Sequence, residues 1–147
     1  MFCGEWKQRV AQLETERAEQ LAVRRALDRS TAVVELSPEG VVLAANDNFL
    51  RTMGYAAEDI IGQHHRIFVD EEARNSAEYA SFWQRLGAGV HDSGRYRRIN
   101  SQGEDVWLQA SYNPILDADG RPFKVVKFAT NITRRVQAAQ TLRYSVS

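Results

Sequence analysis

Hydrophobic and polar positions follow three different rhythms along this chain. From about Glu5 to Asp28 there is no Pro or Gly, and Glu, Arg, Gln, Ala and Leu dominate. These are strong helix formers. Alternating steps of four and three pick out Trp6, Val10, Leu13, Arg17, Gln20, Arg24 and Leu27, with Leu21 beside the seam. This weak heptad stripe predicts a helix that either packs on its own domain or pairs with a second copy through Leu13, Leu21 and Leu27.

From about Ser30 to Thr133 the rhythm changes to alternation broken by turns. Ser37-Pro38-Glu39-Gly40, Asn100-Ser101-Gln102-Gly103 and Asp117-Ala118-Asp119-Gly120 each open with Ser, Asn or Asp and close with Gly. That is the chemistry of a type I turn. Each lies between runs that read as strands: Ala32–Leu36 and Val41–Ala44, Gly94–Ile99 and Asp105–Leu116, then Pro122–Thr130. Helical signals fill the gap between the second and third strands. Asn46 caps a short helix through Met53, and Ala57–Ile61 forms another, closed by Gly62. Asn75 and Glu78 make a loose capping box for a longer helix that Gly87 stops. On it Tyr79, Phe82, Trp83 and Leu86 share one face. The order predicts an α+β fold, a five-stranded antiparallel sheet with helices on one face.

The third segment is helical again, with Ile132, Val136 and Ala139 at four-three spacing. The expected organisation is an N-terminal helix over 1–29, a globular domain over 30–133 and the start of a C-terminal helix over 134–147. The chain stops at Ser147 without a capping signal. This reads as a fragment whose continuation carries the output.

Composition narrows the function. Apolar residues make up 44% and charged residues 26% of 147, enough for one sizeable core. The 19 basic and 19 acidic side chains cancel. No basic field attracts nucleic acid or an anionic membrane surface. Cys3 is a single thiol, which fits a reducing compartment. The start lacks an apolar secretory core, and no run is long enough to span a bilayer. A cytoplasmic location is expected. There is no G-x-S-x-G, phosphate loop or H-E-x-x-H, so no enzymatic role and no catalytic residue is assigned. The adjacent His64 and His65 lack the spacing of a helical metal pair. One of them either ligates a haem iron or hydrogen-bonds a loop.

Several segments carry a resemblance to a known family. Val33–Leu36, Gly40–Asn46, Phe49, Gly54-Tyr55, Glu58–Gly62 and Asn131-Ile132-Thr133 resemble the PAS domain. Leu27–Ser30, His64–Val69, Phe82–Leu86, Tyr112–Ile115 and Lys124–Thr130 resemble PAS modules of cytoplasmic chemoreceptors and aerotaxis transducers. The resemblance implies a sensor of redox or oxygen that relays its state to a downstream signalling domain and a histidine kinase pathway. A cofactor-free dimerisation module, or the sensor domain of a histidine kinase or cyclic-dinucleotide enzyme, is the alternative.

The same resemblance implies FAD, or else haem b or no cofactor. Flavin-binding members place a tryptophan of the long helix beside the flavin, and Trp83 occupies that position. The implied cofactor set is Trp83, His64, His65, Arg66, Asn48, Leu108 and Tyr112. Asp70–Arg74 is acidic where flavin-binding aerotaxis sensors carry a basic, Pro-containing run. Asn131, Ile132 and Thr133 form the implied relay, with Asn131 replacing the family's usual Asp. Along Val106–Asn113, alternation puts Val106, Leu108, Ala110 and Tyr112 on one face and Trp107 on the other. Trp107 is therefore a candidate contact for the N-terminal helix in a homodimer.

Overall fold

A computed structural model describes residues 2–146, with the backbone alone at Phe2 and at 144–146. Met1 and Ser147, the outermost residues of the two expected terminal segments, lie outside the described residues. The chain divides at Ser30/Thr31 into two units. The first is one helix, α1 (Phe2–Ser30). Trp6, Leu13, Leu21 and Leu27 are exposed on it.

The second unit holds the sheet and the remaining helices. Its strands are β1 (Ala32–Leu36), β2 (Val42–Ala45), β3 (Asp92–Ile99), β4 (Asp105–Leu116) and β5 (Pro122–Asn131). All neighbours are antiparallel, in the order β2-β1-β5-β4-β3. The three turns form as the sequence demands. Gly40, Gly103 and Gly120 donate their amides to Ser37, Asn100 and Asp117 carbonyls at 2.9–3.0 Å. Each of these glycines has a positive φ, a backbone region open to glycine and costly for other residues.

Between β2 and β3 run α2 (Asp47–Met53), α3 (Ala57–Ile60), a 3-10 turn over His65–Phe68, α4 (Glu71–Arg74) and α5 (Ala77–Gly87). Asn46 caps α2 as expected, its Oδ1 accepting from the Phe49 amide at 2.9 Å. The start and end of α5 differ from the sequence reading. Ser76, not Asn75, is the cap, its hydroxyl accepting from the Tyr79 amide. Asn75 instead terminates α4, a short helix begun by Asp70. Gly87 stays helical, and the left-handed residue that turns the chain is Gly89. Helix α6 (Thr133–Val146) follows β5 directly.

Alternation sets the core. Val34, Leu36, Leu108, Ala110, Tyr112, Val125 and Ala129 line one face of the sheet. Phe49, Met53, Phe68, Phe82, Trp83 and Leu86 cover them. Each fully buried large side chain contributes about 1.5–3 kcal/mol over its exposed state. Trp107 lies on the opposite face and is half-buried. The core also holds three buried groups that do not belong in apolar surroundings: Arg98 and Lys127 from the sheet and His65 from the 3-10 turn.

Candidate functional site

The site forms where α5 and the 3-10 turn meet the inward face of β3, β4 and β5. Cross-strand register brings its parts together. Tyr112 on β4 is paired with Asp92 on β3 and with Lys127 on β5. Tyr96 and Arg98 sit at every second position of β3, so both face inward with Asp92. From above, the 3-10 turn lowers His65 and α5 lowers Tyr79, Phe82 and Trp83.

Tyr112 is the hub. Its hydroxyl lies 3.1 Å from Arg98 Nη2 and 3.1 Å from His65 Nε2. The ammonium of Lys127 sits 4.7 Å from its ring centroid, a cation–π geometry strengthened by the dry surroundings. On its other side, His65 Nδ1 is 2.7 Å from the Tyr79 hydroxyl. A neutral His65 protonated at Nδ1 satisfies this chain: Arg98 donates to the Tyr112 oxygen, Tyr112 donates to Nε2, and Nδ1–H donates to Tyr79.

The rings fill the space beneath α5. Phe82 and Tyr112 stand edge to face at 4.8 Å, and Tyr96 and Tyr112 at 5.1 Å. Trp83 packs edge-on to His65 at 5.4 Å and to His64 at 5.8 Å. These are favourable quadrupolar arrangements. Two open clefts flank this packing, and Tyr79 lines both. One, about 590 Å³, lies between α4, α5 and β3 and reaches Tyr96 and Arg98. The other, about 460 Å³, is lined by His64, Arg66, Arg74 and Trp83.

The electrostatics are unusual for an interior. Arg98 and Lys127 are buried, and among the described residues neither is ion-paired with a carboxylate. Burial, then the charges of Arg98 and Lys127, hold His65 well below its ordinary pKa. Burial raises the Tyr112 phenol, but the two cations outweigh that and hold it below the usual tyrosine value. Burial pulls the Lys127 ammonium down, partly offset by Tyr112. Burial pushes Tyr79 up to about 12. Among the described residues two buried donors have no acceptor, Arg98 Nε and Trp83 Nε1. The Tyr79 hydroxyl is near enough to the indole to feel it but makes no hydrogen bond with it. The interior is thus rich in cations and donors and poor in anions and acceptors.

Of the expected cofactor set, the fold brings Trp83, His64, His65 and Tyr112 together. Arg66 is exposed at the rim of the second cleft. Leu108 is a buried part of the core. Asn48 lies elsewhere: on α2 its Nδ2 donates to the Thr31 carbonyl at 3.4 Å and its Oδ1 accepts from Arg51. His64 makes the loop contact that sequence left open against ligation. Its Nε2 lies 2.8 Å from the Glu39 carbonyl, and its Nδ1 accepts from the Arg66 amide.

Asn131-Ile132-Thr133 is tied to β4 by hydrogen bonds. The Trp107 amide donates to Thr133 Oγ1 at 3.0 Å, and the Ile132 amide donates to the Trp107 carbonyl at 2.8 Å. Asn131 Oδ1 accepts from the Thr133 amide and hydroxyl at 3.0 and 2.5 Å. The neutral amide of Asn131 thus keeps hydrogen bonds to the first residue of α6.

A family model described as the PAS fold matches residues 42–129, more than half of the chain. The chain belongs to the PAS fold family. It is 47% identical over 115 residues to the biofilm dispersion protein BdlA of Pseudomonas aeruginosa, covering 78% of this chain and 28% of that one. It is 26% identical over 89 residues to the aerotaxis receptor of Escherichia coli, covering 60% of this chain and 17% of the receptor. The chain thus spans less than a third of these relatives. An RNA-binding light-oxygen-voltage receptor of solved structure shares the fold, with a TM-score of 0.72 at 23% identity, over 90% of this chain and 37% of that one. No helix among the described residues is long and apolar enough to cross a membrane.

The neutral histidine at the centre of this PAS domain gives a pH signature. The unfolded chain titrates it near 6.5, and the folded domain only well below that. Below pH 6.5 the unfolded chain therefore takes up a proton that the fold refuses. Stability should fall as pH drops through that window, by up to about 1.4 kcal/mol per pH unit. Above the window His65 is neutral in both states and adds no slope. His64, also lowered by burial, adds in the same direction. Urea midpoints between pH 8 and pH 5 should show the slope, and His65→Gln should flatten it. An equal slope in the variant would place its origin elsewhere.

Proposed function

We propose that this PAS domain is a sensory, non-catalytic module of a chemotaxis-type receptor. Its input is the interior beneath α5 and its output is α6. The observation that carries this reading is a continuous path on one strand. Tyr112, at the hub of the buried cluster, and Trp107, which holds Thr133 and Ile132, both belong to β4. A change in what Tyr112 contacts shifts β4 against β5, and Asn131-Ile132-Thr133 carry that shift into α6. Similarity to an aerotaxis receptor and to BdlA supports the receptor context, with a histidine kinase pathway downstream and a cytoplasmic location. The exposed leucines of α1 and Trp107 are the surfaces for a homodimer.

A flavin is the cofactor this reading favours. Its ring is rich in acceptors, and the interior offers unpaired donors at Trp83 Nε1 and Arg98 Nε. A bound flavin supplies redox chemistry, and Trp83, Arg98 and Tyr112 are the residues to hold it. The rings now packed under α5 occupy that space, so Tyr79, which separates the two clefts, has to swing out to admit it. Haem ligation by His65 is harder, because both its nitrogens are engaged. The filled interior favours a second reading, a cofactor-free interaction module.

One absorption spectrum separates these readings. Protein from cofactor-replete expression should show flavin bands near ~450 nm, with haem instead giving a band near ~410 nm. Chemical reduction should then change hydrogen exchange at the Trp107 and Thr133 amides. A colourless protein sinks the cofactor reading and leaves the interaction module. A coloured protein with unchanged exchange sinks the relay.

A further inference from the structure

The larger cleft ends on a cation with nothing to pair with. Arg98 is 8% exposed. Its Nη1 donates to its neighbour's carbonyl, Arg97 O, at 3.1 Å, and its Nη2 donates to Tyr112 at 3.1 Å. Its guanidinium lies over the Tyr96 ring at 5.0 Å, and its Nε is buried without an acceptor. All of its partners are neutral. A guanidinium presents Nε and one Nη along a single edge, which matches the two oxygens of a carboxylate. The edge left incomplete here is that one.

We infer that the cleft between α5 and β3 binds a small organic acid, its aromatic body against Phe82 and Tyr96 and its carboxylate directed at Arg98, whose buried Nε edge it reaches by displacing the side chains that cover it. The cleft's size, about 590 Å³, is within the range of small-molecule sites. Its other charges select the class. Glu78 and Asp92 also line it, and Asp92 already accepts from the Tyr96 hydroxyl. Those two carboxylates repel a polyanion more strongly than a monoanion, while a single carboxylate meets the fixed positive charge of Arg98. Arg85, held at the rim by Ser81 at 2.8 Å, adds a solvated cation. A monocarboxylate is therefore preferred over phosphate. The inference deepens the sensory reading by naming an input for the Tyr112 hub, because the ligand shares Arg98 with Tyr112. It uses the same Arg98 Nε as the flavin reading, so it is tested by binding to protein freed of flavin and needs no working relay.

The probe is benzoate, titrated into the full 147-residue chain by calorimetry. Saturable binding with a Kd of about 1 mM or tighter is expected, with benzamide and inorganic phosphate at least tenfold weaker. In NMR, benzoate should shift the Arg98 Nε–H resonance, which reads contact directly. Arg98→Met should lose binding at least tenfold while keeping a cooperative melt, because an apolar side chain of similar length relieves a buried charge. Should Met fail to fold, Arg98→Lys keeps the charge without the planar edge and should still lose the preference for benzoate over benzamide. Arg95→Met, on the opposite face of β3, changes net charge equally and should bind as the parent does. Equal binding of benzamide, an unmoved Nε–H resonance, or full binding by a folded Arg98 variant overturns the site.

Discussion

Tyr112→Phe is expected to destabilise the domain by about 3 kcal/mol, a melting-temperature loss on the order of 10 °C. The substitution keeps the ring, which touches Phe82 and Tyr96 edge to face, so almost no apolar packing is lost. What goes is one oxygen. That oxygen accepts from Arg98 and bonds His65 Nε2, and it moderates the charge of Lys127. Leaving a buried donor unmatched costs about 1–3 kcal/mol, and more where the donor is charged. The effect should therefore exceed that of an ordinary Tyr→Phe change in a core. Urea unfolding measures it directly, and the slope with denaturant should not change if the fold is retained. A loss below about 0.5 kcal/mol, the size of a surface substitution, would mean that water already satisfies these groups and that Tyr112 is no hub.

Much of the architecture was legible because it rests on local chemistry. The three turns closed where Ser, Asn or Asp preceded Gly by three residues, and β1 and β4 took the limits their alternation gave. The start of α5 was misplaced by one residue. Asn75 and Ser76 are both capping residues, and only packing decides between them; here Asn75 was already used to end α4. Gly87 misled for a related reason, since Gly89 two residues later was equally able to turn the chain.

The site was half legible. Trp83, Tyr112 and the two histidines were picked out by periodicity and resemblance, and they do converge. Arg98 and Lys127 were missed although the signal was present. Lys127 alternates with Val125 and Ala129, and Arg98 with Tyr96, so strand period alone puts both cations on the inward face. A charge there contradicts the usual distribution of residues, and charged residues are easily read as solvated. Such local violations of patterning mark places where a fold gives up stability for a task.

Lys127→Met tests that point from the opposite direction. Lys127 is 1% exposed. It lies over the Tyr112 ring at 4.7 Å and the Phe49 ring at 6.0 Å, with no carboxylate paired to it. Two aromatic faces and a phenol oxygen return only part of what dehydrating an ammonium costs. Methionine has nearly the same length, is flexible enough to fill the same space, and favours aromatic neighbours. The variant is expected to be more stable by about 1–3 kcal/mol, in line with apolar replacement of other buried charges. Because Lys127 helps hold the Tyr112 phenol below its ordinary pKa, phenolate absorption should also appear at higher pH in the variant. In the Tyr112→Phe background the ammonium has lost the electrostatic support of the phenol, so the gain from Met should be larger than in the parent. That non-additivity is the coupling between the two side chains, and a double-mutant cycle reads it. A Met variant that is less stable than the parent would show the ammonium to be a structural cation well served by its rings. The surplus positive charge of the interior would then rest on Arg98 alone.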